Sequence, residues 1–251
     1  MAFPTTGLLD DFNRVAENPL ANGTWSTPIR SGEGTMAVGS GGSANAIIKG
    51  SGTTGSSYWS AATFGPDSEV FCLMSAVPGD NDWVQLYART VDLGLTTLDG
   101  YNLTAFKRSG ADEWQIRRVD NGTDTVLGAT ATQEYANGDS IGFEIIGSTL
   151  TGYIKTAGVW SAVLSRTDAT YSAAGNIGIR SPTTVGVEDD FSGGTVVAAG
   201  GATTPMRGLM GVGTFLWGTQ RWRERCGPNC PVCSRFRIDN TRRRPRPHRG
   251  R

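Results

Sequence analysis

Three cysteines and one histidine near the end of the chain are the residue types best suited to bind a metal. Cys226, Cys230 and Cys233 are closely spaced, and His248, the only histidine in the sequence, follows them. Three thiolates and an imidazole form a tetrahedral ligand set of the kind that zinc prefers. The spacing therefore indicates a possible Zn²⁺ site, with free thiols as the alternative interpretation.

Arginines dominate the same segment. Residues 201–251 hold 12 of the 23 Lys and Arg residues and two of the 23 Asp and Glu residues, a charge of +10 that leaves −10 on residues 1–200. Such a segment neutralises phosphates or binds an acidic protein surface, including the acidic part of another copy. We predict that it anchors the protein in an assembly; non-specific nucleic-acid contact and a solvated tail without a partner are the alternatives. The densest run contains Arg242, Arg243, Arg244 and Arg246.

The first 200 residues have the composition of a β-protein. Glycine is abundant, with 35 residues in the chain, and strand-length apolar runs alternate with turn residues. Residues 83–91 and 140–147 alternate apolar and polar side chains, which predicts an antiparallel sheet with one buried face. The clearest strand-length runs are residues 69–77, 83–91, 101–108, 113–119, 140–147, 149–155, 176–180 and 185–191.

So many strands would expose too much apolar surface in one open sheet, so two packed sheets are expected. The predicted fold class is all-β, a two-sheet antiparallel jelly-roll sandwich with an irregular basic C-terminal extension. We assign residues 1–194 to the sandwich, 195–205 to a linker and 206–251 to the extension. Cys72 lies in an apolar run and is predicted to be a buried, reduced thiol.

Short motifs follow one another in a characteristic order along the first 194 residues. They are Leu9-Asp10-Asp11-Phe12-Asn13-Arg14, Asn18-Pro19-Leu20 with Trp25, Gly100-Tyr101-Asn102-Leu103, Gly138-Asp139-Ser140-Ile141, Gly147-Ser148 and Asp189-Asp190-Phe191. In this order they resemble the concanavalin A-like lectin/glucanase superfamily, in particular the laminin-G-like jelly rolls of bacterial surface proteins and bacteriophage structural proteins. The resemblance implies a lectin-like fold and a non-enzymatic structural or adhesion component of a bacteriophage virion, in head decoration or in the tail.

The start of the chain has no basic cluster followed by an apolar run, and no stretch is long enough to span a bilayer. We therefore expect no secretion signal and no membrane span. Together with the resemblance, this predicts a virion protein made in the host cytoplasm. Its expected partners are other virion proteins, further copies of itself and a cell-surface glycan.

One predicted strand carries a mixture of side chains suited to binding a sugar. Trp83, Gln85, Tyr87 and Arg89 share a strand face, where a ring can stack on a pyranose and polar groups can bind its hydroxyls. Tyr101 and Trp114 are candidates to extend this platform. The alternative is that the aromatic rings fill the core or a subunit contact.

Members of the superfamily often bind calcium where the first and last strands meet. The resemblance therefore implies Asp10 and Asp189, which occupy matching places in two similar motifs, as candidate Ca²⁺ ligands. Alternatively, these carboxylates bind turn amides or Arg14 at the sheet edge.

In the superfamily that the chain resembles, laminarinase-like glycosidases carry Glu, Asp and Glu at alternate positions of one strand, and this chain has no such strand. The first 200 residues also lack an imidazole base. We therefore predict no enzymatic activity. Two alternatives are a glycoside hydrolase, which would need a pair among Glu69, Glu113 and Glu144 across a cleft, and a secreted-type carbohydrate-binding module. A third is a nucleic-acid packaging accessory.

Overall fold

A computed structural model describes residues 2–20, 23–26, 28–30, 32–39, 46–94, 96–182 and 187–197. All the regular elements in these ranges are strands, which confirms the all-β prediction. The strands are β1 (Leu8–Asp10), β2 (Trp25–Ser26), β3 (Gly34–Val38), β4 (Ile47–Lys49), β5 (Gly55–Trp59), β6 (Ser68–Ala76), β7 (Trp83–Val91), β8 (Asp99–Phe106), β9 (Glu113–Asp120), β10 (Thr123–Val126), β11 (Ala131–Thr132), β12 (Ser140–Ile146), β13 (Thr149–Thr156), β14 (Val159–Thr167), β15 (Asn176–Ser181) and β16 (Val187–Thr195).

The predictions made for the end of the chain lie outside the described residues. These are the extension, most of the linker, the proposed zinc ligands Cys226, Cys230, Cys233 and His248, and the arginine run. No helix capable of crossing a membrane occurs in the described part of the chain.

The strands form two layers. The front sheet runs in the order β10, β9, β8, β7, β15, β5, and β11 and β2 pair with β9 and β5. The back sheet runs in the order β4, β16, β6, β12, β13, β14, and β1 pairs with β16. Strand β3 joins the two layers, because it pairs antiparallel with β4 and parallel with β5. The result is the predicted sandwich, with one parallel pairing among antiparallel ones.

Side chains from both sheets form the core between the layers. Alternation along β7 and β8 turns every second residue inward, and the inward faces of β6 and β12 meet them. Cys72 lies in this layer as a free, buried thiol, as predicted. Its burial raises the pKa of the thiol well above the ordinary value, so it is unreactive at neutral pH. The inward residues include Val70, Met74, Val84, Leu86, Leu103, Trp114, Ile116, Ile141 and Phe143.

A carboxyl group is also buried in this core. Glu188 of β16 lies opposite the core residue Met74 of β6 in the strand register, and its side chain has no exposed surface. Within the described ranges no Lys or Arg forms an ion pair with it. Burial raises the pKa of Glu188 to about 8, although hydrogen bonds from its own amide and from the Ser181 hydroxyl act to lower it. Glu188 is therefore largely protonated at neutral pH.

The segment before β1 covers part of the outer surface of the back sheet. Phe3 stacks on Tyr153 with ring centroids 4.1 Å apart and meets the edge of Trp160 at 4.8 Å. The amides of Thr5 and Thr6 donate to Oε1 of Glu69 at 2.7 and 2.5 Å. These contacts attach the start of the chain to the back sheet.

Candidate functional site

The outward surface of the front sheet combines aromatic, amide and guanidinium side chains. Alternation along β7 turns Trp83, Gln85 and Tyr87 to the side opposite Val84 and Leu86, as predicted, but of these three only Trp83 is partly exposed. Gln85 and Tyr87 are buried, and Tyr87 packs in a second apolar cluster with Ile29, Leu98 and Val119, so its ring fills a core as in the alternative interpretation. The register of β7 with β8, β9 and β15 places further polar and aromatic residues beside them. We call this surface the front face; it consists of Trp83, Gln85, Tyr87, Asn102, Thr104, Phe106, Glu113, Gln115, Arg117 and Arg180.

A chain of hydrogen bonds joins four buried residues beneath the partly exposed side chains of the front face, and we call this chain the floor. The Tyr87 hydroxyl donates to Gln85 Oε1 at 2.8 Å, and Gln85 Nε2 donates to Thr104 Oγ1 at 3.1 Å. The Thr104 hydroxyl donates to Asn102 Oδ1 at 2.8 Å, and Asn102 Nδ2 donates to Asp124 Oδ1 at 2.9 Å. Burial raises the pKa of Tyr87 to about 12, so its hydroxyl remains a donor. The floor is thus held in one arrangement by its own bonds.

The guanidinium group of Arg180 lies over the Trp83 ring, at one end of the floor. Arg180 stands 4.6 Å from the centre of the Trp83 ring and donates to Gln85 Oε1 at 2.8 Å. It also pairs with Glu33 at 2.7 Å. These contacts fix Arg180 and hold one side of the Trp83 ring in place.

Phe106 lies beside Trp83, because the two residues are register partners on β8 and β7. Its ring meets the guanidinium groups of Arg108 at 4.5 Å and of Arg117 at 5.2 Å. Trp83 and Phe106 are each partly exposed. The front face therefore presents two partly exposed rings on neighbouring strands, each with a guanidinium group over it.

Two of the predicted platform residues lie on the opposite side of the sheet. Tyr101 and Trp114 point into the core and have no exposed surface. The Tyr101 hydroxyl donates to Asp168 at 2.6 Å, and Trp114 Nε1 donates to the Gln133 carbonyl at 2.8 Å. They do not extend the platform, because on β8 and β9 the outward positions are the neighbouring ones, such as Asn102.

Arg89 also leaves the predicted platform. The pairing of β7 shifts between Ala88 and Val91, and Arg89 adopts a positive φ of 51°. The Arg89 side chain is buried and donates to the carbonyl oxygens of Pro66 and, at 3.0 Å, Tyr171. A β-bulge therefore redirects the side chain that simple alternation placed beside Tyr87.

The surroundings of Asp10 do not fit a Ca²⁺ site shared with Asp189. Asp10 Oδ1 accepts from Arg14 at 2.6 Å and from the Phe12 amide at 2.9 Å, while Oδ2 accepts from Trp25 Nε1 at 2.7 Å. A guanidinium group thus takes the place that a cation would need. No group of three or more His, Cys, Asp or Glu residues suited to a metal occurs in the ranges that the structure covers. The alternative interpretation, turn amides and Arg14, describes Asp10.

The three candidate glycosidase carboxylates are not arranged across one cleft. Glu69 and Glu144 are register partners on β6 and β12 of the back sheet, where Thr5 and Thr6 cover Glu69. Glu113 lies on the front sheet and pairs with Arg108 at 3.1 Å. Glu69 and Glu144 therefore lie side by side on one sheet, with Glu69 covered by the start of the chain, and Glu113 lies on the other sheet, so the three do not flank an open cleft.

A cavity of about 600 Å³ lies on the back sheet, away from the front face. Phe71, Lys155, Trp160 and Asp190 are among its lining residues, so it also combines rings with charges. It is a second surface on which a ligand could be tested.

No protein-family model matches the chain, and no curated protein sequence matches it. Solved structures do share its fold. The VIP36 exoplasmic/lumenal domain in its Ca²⁺/Man2-bound form is 10% identical, with 76% of this chain and 88% of that chain covered and a TM-score of 0.50. The Ca²⁺/Man-bound form of the same domain is 12% identical, over 70% and 84% of the chains, with a TM-score of 0.50. The carbohydrate-binding module CBM66 from Bacillus subtilis is 17% identical, over 67% and 91%, with a TM-score of 0.47.

At these identities the likeness shows the fold alone. It agrees with the predicted concanavalin A-like jelly roll, and it does not bear on a bacteriophage origin.

Proposed function

We propose that the sandwich is a non-enzymatic carbohydrate-binding module whose ligand lies on the front face. The observation that carries this proposal is the placement of the partly exposed Trp83 and Phe106 as cross-strand partners, with the partly exposed Gln115 and Arg117 on the neighbouring strand β9. Aromatic rings pack on the apolar face of a pyranose, while planar amides bind neighbouring hydroxyls. The lectin-type fold gives further support, since the VIP36 domain was solved with mannose ligands.

We expect Trp83→Ala to weaken glycan binding by about tenfold or more, since stacking of one ring and its buried area contributes roughly 1 to 3 kcal/mol. A glycan array with the full chain would identify a ligand, and titration calorimetry would measure its affinity. Trp160→Ala, in the back-sheet cavity, is the matched control and should retain binding. Circular dichroism and melting temperature would establish that both variants fold.

The opposite pattern, loss with Trp160→Ala and retention with Trp83→Ala, would place the ligand on the back sheet and refute the front-face site. If the full chain binds no glycan on the array, the proposed function fails.

We further propose that the protein is a structural or adhesion component of a virion, with the extension as its anchor. The supporting observation is the division of charge between −10 on residues 1–200 and +10 on residues 201–251. We expect light scattering to detect an assembly of the full chain that dissociates at high salt. Replacing Arg242, Arg243, Arg244 and Arg246 with Gln should abolish it. A full chain that is monomeric at low salt, and gains mass only with DNA, would instead favour the packaging accessory.

A further inference from the structure

The front face has a different charge balance from the rest of the sandwich. Residues 1–200 carry a net charge of −10, yet four arginines and three carboxylates lie on or beside the front face. Arg30 pairs with Asp124 at 2.9 Å, Arg108 with Glu113 at 3.1 Å, and Arg180 with Glu33 at 2.7 Å. The remaining arginine is Arg117.

Arg117 forms no ion pair with any residue that the structure describes. Its Nε and Nη2 both donate to the neutral Oε1 of Gln115, at 2.9 and 2.6 Å. The nearby carboxylate of Asp124 is already used by Arg30 and Asn102. Arg117 is also partly buried; desolvation lowers its pKa, and the charge of the nearby Asp124 only partly offsets this effect. A partly desolvated cation that shares a nearby carboxylate with Arg30 and has no ion pair of its own among the described residues is incompletely neutralised, so an anion bound here would be stabilised.

The position of the guanidinium group determines what kind of anion it can bind. It is held 5.2 Å from the Phe106 ring, and two of its donors are used by Gln115. Nη1 makes no hydrogen bond to a described residue, which leaves it for a ligand. Guanidinium groups bind carboxylates and related oxyanions with directed hydrogen bonds. One unpaired cation suits a single anionic group rather than a polyphosphate chain, which the net −10 of residues 1–200 would repel.

We propose that the front-face ligand is an acidic carbohydrate, in which a carboxylate or sulfate group binds Arg117 while the sugar ring lies against Trp83 and Phe106. This inference rests on the proposed function and specifies the class of its ligand. The anionic group supplies the counter-ion that Arg117 lacks, and the positive front face offsets the repulsion that an acidic ligand meets elsewhere on the sandwich.

The experiment compares acidic oligosaccharides with neutral counterparts on the full chain. The probes are a galacturonic-acid tetrasaccharide and its neutral methyl ester, and a keratan sulfate tetrasaccharide, which carries no carboxylate, and its neutral desulfated form. We expect at least one acidic probe to bind about tenfold more tightly than its counterpart, with an advantage that shrinks at high salt. Arg117→Gln should remove the advantage. Arg118→Gln should preserve it, because this adjacent arginine pairs with Asp120 and Asp168 instead.

The outcomes distinguish failure of the acidic-ligand inference from failure of the proposed carbohydrate-binding function. Preference for the galacturonate identifies a carboxylate, and preference for the sulfated probe identifies a sulfate. Equal binding of acidic and neutral probes overturns the inference and leaves the proposed function standing. If no neutral or acidic sugar binds, the proposed function itself fails. Binding of single-stranded DNA alone, lost in Arg117→Gln, would assign the front face to phosphates and overturn the inference.

Discussion

Glu188→Gln is expected to stabilise the protein at pH 7 by about 3 kcal/mol and to flatten the dependence of its stability on pH. Burial raises the pKa of Glu188 to about 8 from an ordinary value of 4.5, so the folded chain keeps a proton that the unfolded chain releases. Stability from this group is fully present below about pH 4.5 and falls as the pH rises towards about 8. Glutamine has nearly the same shape as the protonated acid and carries no proton to lose.

Urea unfolding of both proteins at several values between about pH 5 and about pH 8 would measure the effect. Near pH 5 the two free energies of unfolding should be similar, and the difference should grow with pH. Every other titrating group is shared, so the difference isolates Glu188. Asp80→Asn, an exposed carboxylate between β6 and β7, is the control and should leave the pH profile unchanged. Parallel profiles of wild type and Glu188→Gln would contradict a protonated carboxyl in the core.

The strands of the central sheets could be predicted from the sequence where alternation is strict. β7 spans Trp83–Val91, the same residues as the predicted run, and β12 differs by one residue at its end. Strand β14, Val159–Thr167, was missed because most of its side chains are exposed and no apolar period marks it. Strand β5, Gly55–Trp59, was missed because its Gly and Ser residues lack the apolar side chains that mark a strand.

Gly55 of β5 shows why a strand of this kind can be identified only when its neighbouring strand is known. A Cβ on Gly55 would lie 2.5 Å from the Thr35 carbonyl oxygen of β3. The close approach of these two strands therefore requires glycine, although glycine alone disfavours a strand.

Only the residues of the candidate site that lie on β7 could be predicted from the sequence. Trp83, Gln85 and Tyr87 follow from alternation along β7. Phe106 and Arg117 come from strands whose outward positions depend on the register between β7, β8 and β9. Register is set by pairing between strands that are distant in the sequence. A prediction made without that pairing can therefore place a residue on the wrong face of its strand. Tyr101 and Trp114 were misplaced for this reason.

Asp10→Ala is expected to lower the free energy of unfolding by about 3 kcal/mol, because it removes the acceptor of three donors at once. The donors are Trp25 Nε1, the Phe12 amide and the Arg14 guanidinium, and the carboxylate that receives them is buried. Asp189→Ala should cost much less, since Asp189 accepts from the adjacent Asp190 amide and, at 3.5 Å, from Ser75. Urea unfolding of the two variants would measure the difference.

The same pair of variants separates a hydrogen-bonded carboxylate from a calcium ligand. If Asp10 acts as the acceptor of its three donors, Asp10→Ala should lower the free energy of unfolding by the same amount with a chelator present as with millimolar Ca²⁺. If Asp10 and Asp189 shared a cation, both variants would lose similar amounts, and only when Ca²⁺ is present. The Arg14 guanidinium, 2.6 Å from Asp10, already neutralises that carboxylate, so the first pattern follows from the geometry. Equal, calcium-dependent losses would mean that Arg14 moves away and that a cation replaces it.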